Sequence, residues 1–253
     1  MNVNRWILGG AIALIAAAAA FFFLRADGSE AADGQTAVEL PAGLERADLE
    51  IVIREYILAN PEIIPEAMER LQERRMVQMI STVRDGLETP FEGAWAGSAD
   101  ADVTIVEFFD YACGFCRTSL PDIERLLAED DNLRIVFREL PILSEESVDA
   151  ARVSLSAARQ SEYYSFHRAL FAAGRPDDAT IAAAQRSAGL NSARVQRDIA
   201  DPAIEAEIRN NRELAGQLEL TGTPAFVVGD RILSGAVGYE RLKEAVEEAR
   251  RSS

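Results

Sequence analysis

Histidine occurs once in this 253-residue chain, at His167, and cysteine twice, at Cys113 and Cys116. A structural zinc site takes about four nitrogen or sulfur ligands, so these residues cannot supply a set. Positive charge is also short: 26 lysines and arginines stand against 42 acids, for a net charge of −16 and a pI of about 4.6. That balance argues against nucleic acid or an anionic membrane surface as a partner. There is no glycine-rich phosphate loop, no metalloprotease motif and no internal repeat, so nucleotide and metalloprotease chemistry have no foothold.

What is present is concentrated. Both cysteines lie in one C-x-x-C, Cys113-Gly114-Phe115-Cys116. The approach, Ile105-Val106-Glu107-Phe108-Phe109, is β-branched or aromatic but for Glu107, which predicts a buried strand. The stretch Thr118 to Leu127 continues as a helix. A C-x-x-C between strand and helix puts its first sulfur at a helix N-terminus, where unpaired amides and the helix dipole favour thiolate over thiol. The thiolate is the nucleophile in disulfide exchange, and in such motifs its pKa falls to roughly 3.5–7.5. Cys113 is thus read as the attacking and more exposed sulfur, and Cys116 as the resolving one. A structural disulfide would close so short a loop that it would constrain the unfolded chain little. Two core thiols at this spacing would be a coincidence. The redox reading alone accounts for strand, turn and helix together.

Two further features bear on that chemistry. Glu107 interrupts an apolar strand six residues before Cys113. Buried there, its carboxyl would have a raised pKa and could accept or relay the proton of Cys116; on an edge strand it would simply face water. Downstream, Thr221-Gly222-Thr223-Pro224-Ala225-Phe226-Val227-Val228 places a proline at the head of a strand. A proline there suits a bulge, an edge or a cis turn, although a trans proline that starts the strand is the ordinary case.

The segment Glu107 to Cys116, followed by Gly222-Thr223-Pro224-Ala225-Phe226, resembles the DsbA-like family of thiol-disulfide oxidoreductases, extracytoplasmic enzymes of thioredoxin fold. The resemblance covers residues 87–253 and aligns Val136-Phe137-Arg138-Glu139-Leu140-Pro141 with the family's next strand. It implies that the Thr223–Pro224 bond is cis and faces the cysteine pair, and that Glu107 holds the family's buried-acid position. The site it implies is Cys113 and Cys116 as the redox-active disulfide, with Glu107, Thr223 and Pro224 around them. No histidine lies between the cysteines, unlike in the strongly oxidising members. Gly114-Phe115, with threonine before the proline, is more similar to the bacterial disulfide isomerases. The resemblance leaves oxidase and isomerase both open.

The N-terminus reads as a targeting segment. Asn4-Arg5 precedes Trp6 to Leu24, nineteen uncharged residues that end at Arg25. That length suits an uncleaved membrane anchor with its positive end in the cytoplasm better than a signal peptide cut after Ala20. Either way the segment 1–25 exports the rest, to the periplasm, where oxidising conditions suit this chemistry. Residues 26–42 read as a linker, rich in Gly, Ala, Ser and acid from Asp27 to Thr36.

Residues 43–86 read as helices. Leu49, Val52, Ile53, Tyr56 and Ile57 recur at helical spacing until Asn60-Pro61 breaks the pattern. A second helix from about Pro65 to Val83 carries Met68, Leu71, Met76, Met79, Ile80 and Val83. Two such helices cannot bury that apolar surface alone, so they must pack on the catalytic domain or on another copy. The arrangement resembles the helical region of the suppressor-of-copper-sensitivity C group of the same family, which implies homo-oligomerisation. Methionine thioethers can bind Cu(I), but a methionine stripe is more often adaptable packing.

From residue 144 to about 220 the chain is expected to be a helical insertion, with apolar stretches at Ala150 to Ala158, Tyr163 to Phe171, Ile181 to Leu190 and Ile199 to Leu218. A lone histidine on such a face, His167, is more often a hydrogen-bonded packing residue than a catalytic base. A strand at Ala225 to Val228, a turn at Gly229-Asp230, a strand at Arg231 to Ser234 and a helix from Tyr239 to about Arg250 complete the chain. The expected whole is an α/β, thioredoxin-like domain with a helical insertion, behind a helical assembly region and an anchor or signal segment. Its chemistry requires no cofactor. The partners it implies are unfolded or misdisulfided proteins, a membrane redox partner and further copies of the chain. The alternative in another class is a periplasmic copper chaperone using both thiolates.

Overall fold

The computed structural model describes residues 45–252. The segments read as anchor and linker, 1–25 and 26–42, lie outside them. Among the described residues no helix is long and apolar enough to cross a membrane.

The chain divides into two units between Pro61 and Glu62. The described part of the first is helix α1 (Arg46–Ala59), in which no residue is buried. Its apolar residues Ile51, Val52, Ile53, Tyr56 and Leu58 are all exposed, and Asn60 ends the helix with its amide on the Tyr56 carbonyl.

The second unit opens with helix α2 (Ile63–Glu88), which holds Pro65 in its first turn, where a missing amide costs nothing. Five strands follow: β1 (Trp95–Gly97), β2 (Val103–Phe109), β3 (Leu133–Glu139), β4 (Ala225–Val228) and β5 (Arg231–Ser234). They form one sheet in the order β1-β3-β2-β4-β5, with β2 and β3 parallel and the other pairs antiparallel. Strand β2 is therefore central, which excludes an edge position for Glu107. Helix α3 (Gly114–Glu129) joins β2 to β3, and helix α9 (Tyr239–Ser252) closes the chain. Five helices fill the interval between β3 and β4: α4 (Glu145–Arg159), α5 (Tyr163–Ala173), α6 (Asp178–Ser187), α7 (Ser192–Asp198) and α8 (Pro202–Gln217). Four of the five start on side-chain caps, at Ser144, Asp177, Asn191 and Asp201.

Alternation along β2 sends side chains to two different layers. Val106 and Phe108 pack with Ile80, Val83 and Leu87 of α2 and with Leu214 of α8. Ile105 and Phe109 pack with Ile123 of α3, Phe166 of α5 and Leu242 of α9. Glu107 shares the parity of this second set and so faces the layer that holds the cysteines.

Two features depart from the sequence reading, and the start of α3 does not. Strand β1 was not expected; three residues carry no period, and Gly97 at its end has φ +97° with the Leu133 carbonyl crowding any side chain there. Helix α3 begins at Gly114 with Cys113 at its N-terminus, as the motif was read. The division between a helical region 43–86 and a domain from 87 does not match the packing, because Ile80, Val83 and Leu87 lie in one cluster with the sheet. Periodicity marks an apolar face but not what covers it. Buried Arg138 of β3 fixes this end of α2, donating to the carbonyls of Leu87 at 2.9 Å, Thr89 at 2.5 Å and Gly86. Its other nitrogen bonds Glu207 at 2.8 Å and Asn211 at 3.2 Å. One guanidinium thus caps carbonyls that the helix end leaves open.

Candidate redox site

Cys113 is the N-cap of α3, with extended backbone (φ −77°, ψ 116°), and its Sγ accepts the Cys116 amide at 3.4 Å. A hydroxyl or carboxylate is the usual acceptor at this position; here it is sulfur. The same Sγ lies 3.2 Å from the Thr223 carbonyl oxygen, to which the thiol donates. The Thr223–Pro224 bond is cis, and the loop before β4 presents the Thr223 carbonyl to the cysteine. Both thiols are free.

Neither sulfur is openly exposed. Cys113 retains 5% of its surface and Cys116 1%; the order matches the expectation, but the residue that projects is Phe115, at 69%. Burial pushes the Cys116 thiol far up, and the Glu107 charge adds to this, while the Asp110 backbone partly opposes it. Cys116 is thereby held as a thiol.

Glu107 is buried among apolar neighbours, and burial, aided by the charge of Cys113, raises its carboxyl to about 8. Among the described residues its Oε2 has no protein hydrogen-bond partner, nor does the buried Thr223 hydroxyl. A carboxyl at that value gives and takes a proton near neutral pH, which a solvated glutamate does not.

His167 lies in an aromatic cage of Phe109, Phe137, Tyr163 and Phe171. Its Nδ1 is 3.2 Å from the Tyr111 hydroxyl, and burial lowers its pKa to about 3. It is a neutral packing group, as a lone histidine on an apolar face usually is. Met76 and Met79 pack against the α2 side of the sheet, whereas Met68 is exposed.

Sequence reasoning missed a layer of buried polar residues behind the cysteines. Asp110, Tyr111 and Glu139 are all fully enclosed. The Tyr111 hydroxyl is 2.7 Å from that of Ser154 in α4, and Tyr163 of α5 donates to Glu139 at 2.9 Å. Burial holds Glu139 well above the usual carboxylate range. Arg117, just after the second cysteine, donates to the Phe171 carbonyl at the end of α5. The turn from Asp110 to Arg117 is thus bonded to the helical insertion on both sides of the cysteines. The only signal for this was the pair Asp110-Tyr111 at the strand end, where two polar residues follow an apolar run.

Comparison with known proteins agrees with this geometry. Residues 104–247 match the DSBA-like thioredoxin domain, and residues 45–76 the N-terminal domain of the copper resistance protein ScsC. A thioredoxin-like oxidoreductase from Silicibacter pomeroyi DSS-3 is 39% identical, with a TM-score of 0.61 over 63% of this chain and 92% of that one. The catalytic domain of Proteus mirabilis ScsC is 28% identical, with a TM-score of 0.63 over 69% of this chain and 98% of that one. Among curated relatives, the Na(+)/H(+) antiporter NhaA 1 of Salinispora arenicola is 29% identical over 60% of this chain, which spans only 24% of that protein's length. The chain belongs to the DSBA-like thioredoxin family of thiol-disulfide oxidoreductases and carries a ScsC-type N-terminal domain ahead of its thioredoxin fold.

Proposed function

We propose that this protein exchanges disulfides in exported polypeptides through Cys113 and Cys116, and that it acts mainly as an isomerase and reductase. The observation that carries the reading is the Cys113 sulfur, which caps a helix N-terminus, touches the Thr223 carbonyl and acts through its charge on a carboxyl poised near 8. The Cys113 thiolate attacks one sulfur of a substrate disulfide, forming a mixed disulfide and releasing the other substrate sulfur as a thiolate. In isomerisation that released thiolate, or another in the same substrate, attacks the mixed bond and frees Cys113. In reduction Cys116 attacks the Cys113 sulfur instead, expelling the substrate thiolate and closing the Cys113–Cys116 disulfide.

Glu107 handles the proton of the buried sulfur in both directions. Ionised, it takes the proton of Cys116 as that thiol becomes the nucleophile; protonated, it returns a proton when the pair is opened and Cys116 leaves as thiolate. Thr223 and Pro224 hold the substrate backbone beside the sulfurs. None of these steps needs a cofactor.

The isomerase reading is supported by the Gly114-Phe115 dipeptide without histidine, by Thr223 before the proline, and by the match of residues 45–76 to the ScsC N-terminal domain. The exposed apolar residues of α1 are the surface through which further copies assemble, and Ile64, Met68 and Leu71 of α2 are exposed as well. Export to the periplasm, by anchor or by cleaved signal, supplies both the substrates and a membrane partner that resets the pair. The test is refolding of disulfide-scrambled ribonuclease beside oxidation of reduced ribonuclease. Faster scrambled refolding is expected; oxidation alone would make the protein an oxidase. Stoichiometric Cu(I) binding with negligible exchange would make it a copper chaperone.

A further inference from the structure

Asp110 lies three residues before Cys113, and no step above uses its side chain. It is 1% exposed, yet its carboxylate is fully engaged. Oδ1 accepts from the Ala112 amide at 2.7 Å and the Ser147 hydroxyl at 2.6 Å. Oδ2 accepts from the amides of Ile142 at 2.8 Å and Leu143 at 2.9 Å. Ala112 belongs to the cysteine turn, Ser147 to the first turn of α4, and Ile142-Leu143 to the loop leaving β3. One carboxylate therefore ties three segments together, with charge-assisted bonds stronger than neutral ones.

That loop is fixed at its near end as well. The Leu140 amide donates to the Phe109 carbonyl at 2.9 Å, and Arg212 of α8 donates to the Pro141 carbonyl at 2.9 Å. On this bonded backbone the side chains of Ile142 and Leu143 remain 50% and 54% exposed. Strands β2 and β3 run parallel with Phe109 opposite Glu139. The cysteine turn and the Ile142-Leu143 loop therefore leave the sheet at the same end, outside the carboxyl ends of the strands, where open α/β sheets take their ligands. Apolar side chains held toward solvent on a fixed backbone give no packing return within the chain, and they make a preorganised contact surface.

We propose that Asp110 is a positioning residue that locks the Ile142-Leu143 loop to the cysteine turn, so that these side chains and Phe115 form an apolar shoulder for the polypeptide segment flanking a substrate cysteine. The inference rests on the thiol–disulfide reading above and adds a specificity determinant to it. The occupant is the substrate polypeptide, because the shoulder is bonded to the turn that carries the sulfur the substrate must reach. Segments with apolar residues beside the cysteine are preferred, and a chain of net charge −16 disfavours acidic ones.

The test uses the full chain and compares steady-state exchange with oxidised glutathione against exchange with disulfide-scrambled ribonuclease. The double variant Ile142→Ser, Leu143→Ser is expected to raise KM for the ribonuclease about tenfold, the equivalent of ~1.4 kcal/mol of lost apolar contact. The ratio of ribonuclease to glutathione kcat/KM should fall by the same factor. Asp110→Asn puts an NH2 against amide donors and should lower the ratio in the same direction. If that variant does not fold, Ser147→Ala removes one of the bonds and should give a smaller fall. A ratio unmoved by the double variant overturns the shoulder. A ratio unmoved by Asp110→Asn, or by Ser147→Ala in its place, overturns the clamp. Wild-type protein that exchanges with neither disulfide overturns the thiol–disulfide reading itself.

Discussion

At the scale of single residues, the site sets two sulfurs in different surroundings. Cys116 is kept protonated by burial and by Glu107, while Cys113 meets helix amides and the Thr223 carbonyl. Alkylation with iodoacetamide at mildly acidic pH is expected to label Cys113 well before Cys116, with the sites read by mass spectrometry of the peptide; equal labelling would remove the assignment of attacker and resolver. Cys113→Ser should abolish exchange, and Cys116→Ser should accumulate mixed disulfides. Glu107 leaves a mark on stability as well. In the folded chain it titrates near 8 against an ordinary 4.5, so the native state keeps a proton that the unfolded chain gives up between those values. Stability therefore falls as pH rises from 4.5 to about 8, by a few kcal/mol at ~1.4 kcal/mol per pH unit. His167 acts at the other end: lowered to about 3 from 6.5, it costs stability as pH falls below 6.5. Denaturant unfolding between pH 6 and 9 should show a decline in the wild type that Glu107→Gln largely removes; parallel curves would mean that Glu107 ionises as easily as a surface acid.

At the scale of elements, the sequence was informative wherever a pattern is local. The β2 and β4 runs, the turn at Gly229-Asp230, the break at Asn60-Pro61 and the C-x-x-C each carry their signal within a few residues, and each has its expected place. Glu107 was legible because one acid in an apolar run is conspicuous. Arg138 and Glu139 were not: they lie in a strand whose burial depends on α2, α5 and α8 arriving from far along the chain. Strand β1 was too short to show a period. The end of α2 was misassigned for a related reason, since Ile80 and Val83 look the same whether they cover a sheet or another copy. This changes where the chain can be cut. Deletion through Asp85 removes Ile80 and Val83 and leaves Arg138 facing a truncated helix, so it should destabilise the domain severely; a single Ile80→Ala already removes about 2–5 kcal/mol of core packing. Arg138→Leu should cost roughly 3–5 kcal/mol by leaving Glu207 and the helix carbonyls unpaired. Deletion through Pro61 should give a cooperatively folded domain by calorimetry. If the cut at Asp85 melts at the same temperature as the cut at Pro61, α2 is not part of the core.

At the scale of the whole molecule, assembly and activity are expected to separate. The chain from residue 37 should sediment as an oligomer, and the chain cut at Pro61 should sediment with a smaller assembly or as a monomer. The shortened protein should still reduce insulin but lose most of its activity on scrambled ribonuclease, because several active sites around one substrate raise the local thiol concentration. Equal isomerase activity in both would assign the helices another task. The shape of α2 adds a dimension to this. From Ile64 to Arg75 every residue of α2 is exposed, and the helix packs on the sheet only from Met76 onward, so about 18 Å of helix at ~1.5 Å per residue stands clear of the sheet. Such a strut is a spacer of set length. If copies join at its outer end, the gap between their cysteines has a size, and that gap becomes a sieve: compact clients enter, and bulkier ones are refused whatever their disulfides. Lengthening the strut by whole turns should move that cut-off to larger clients.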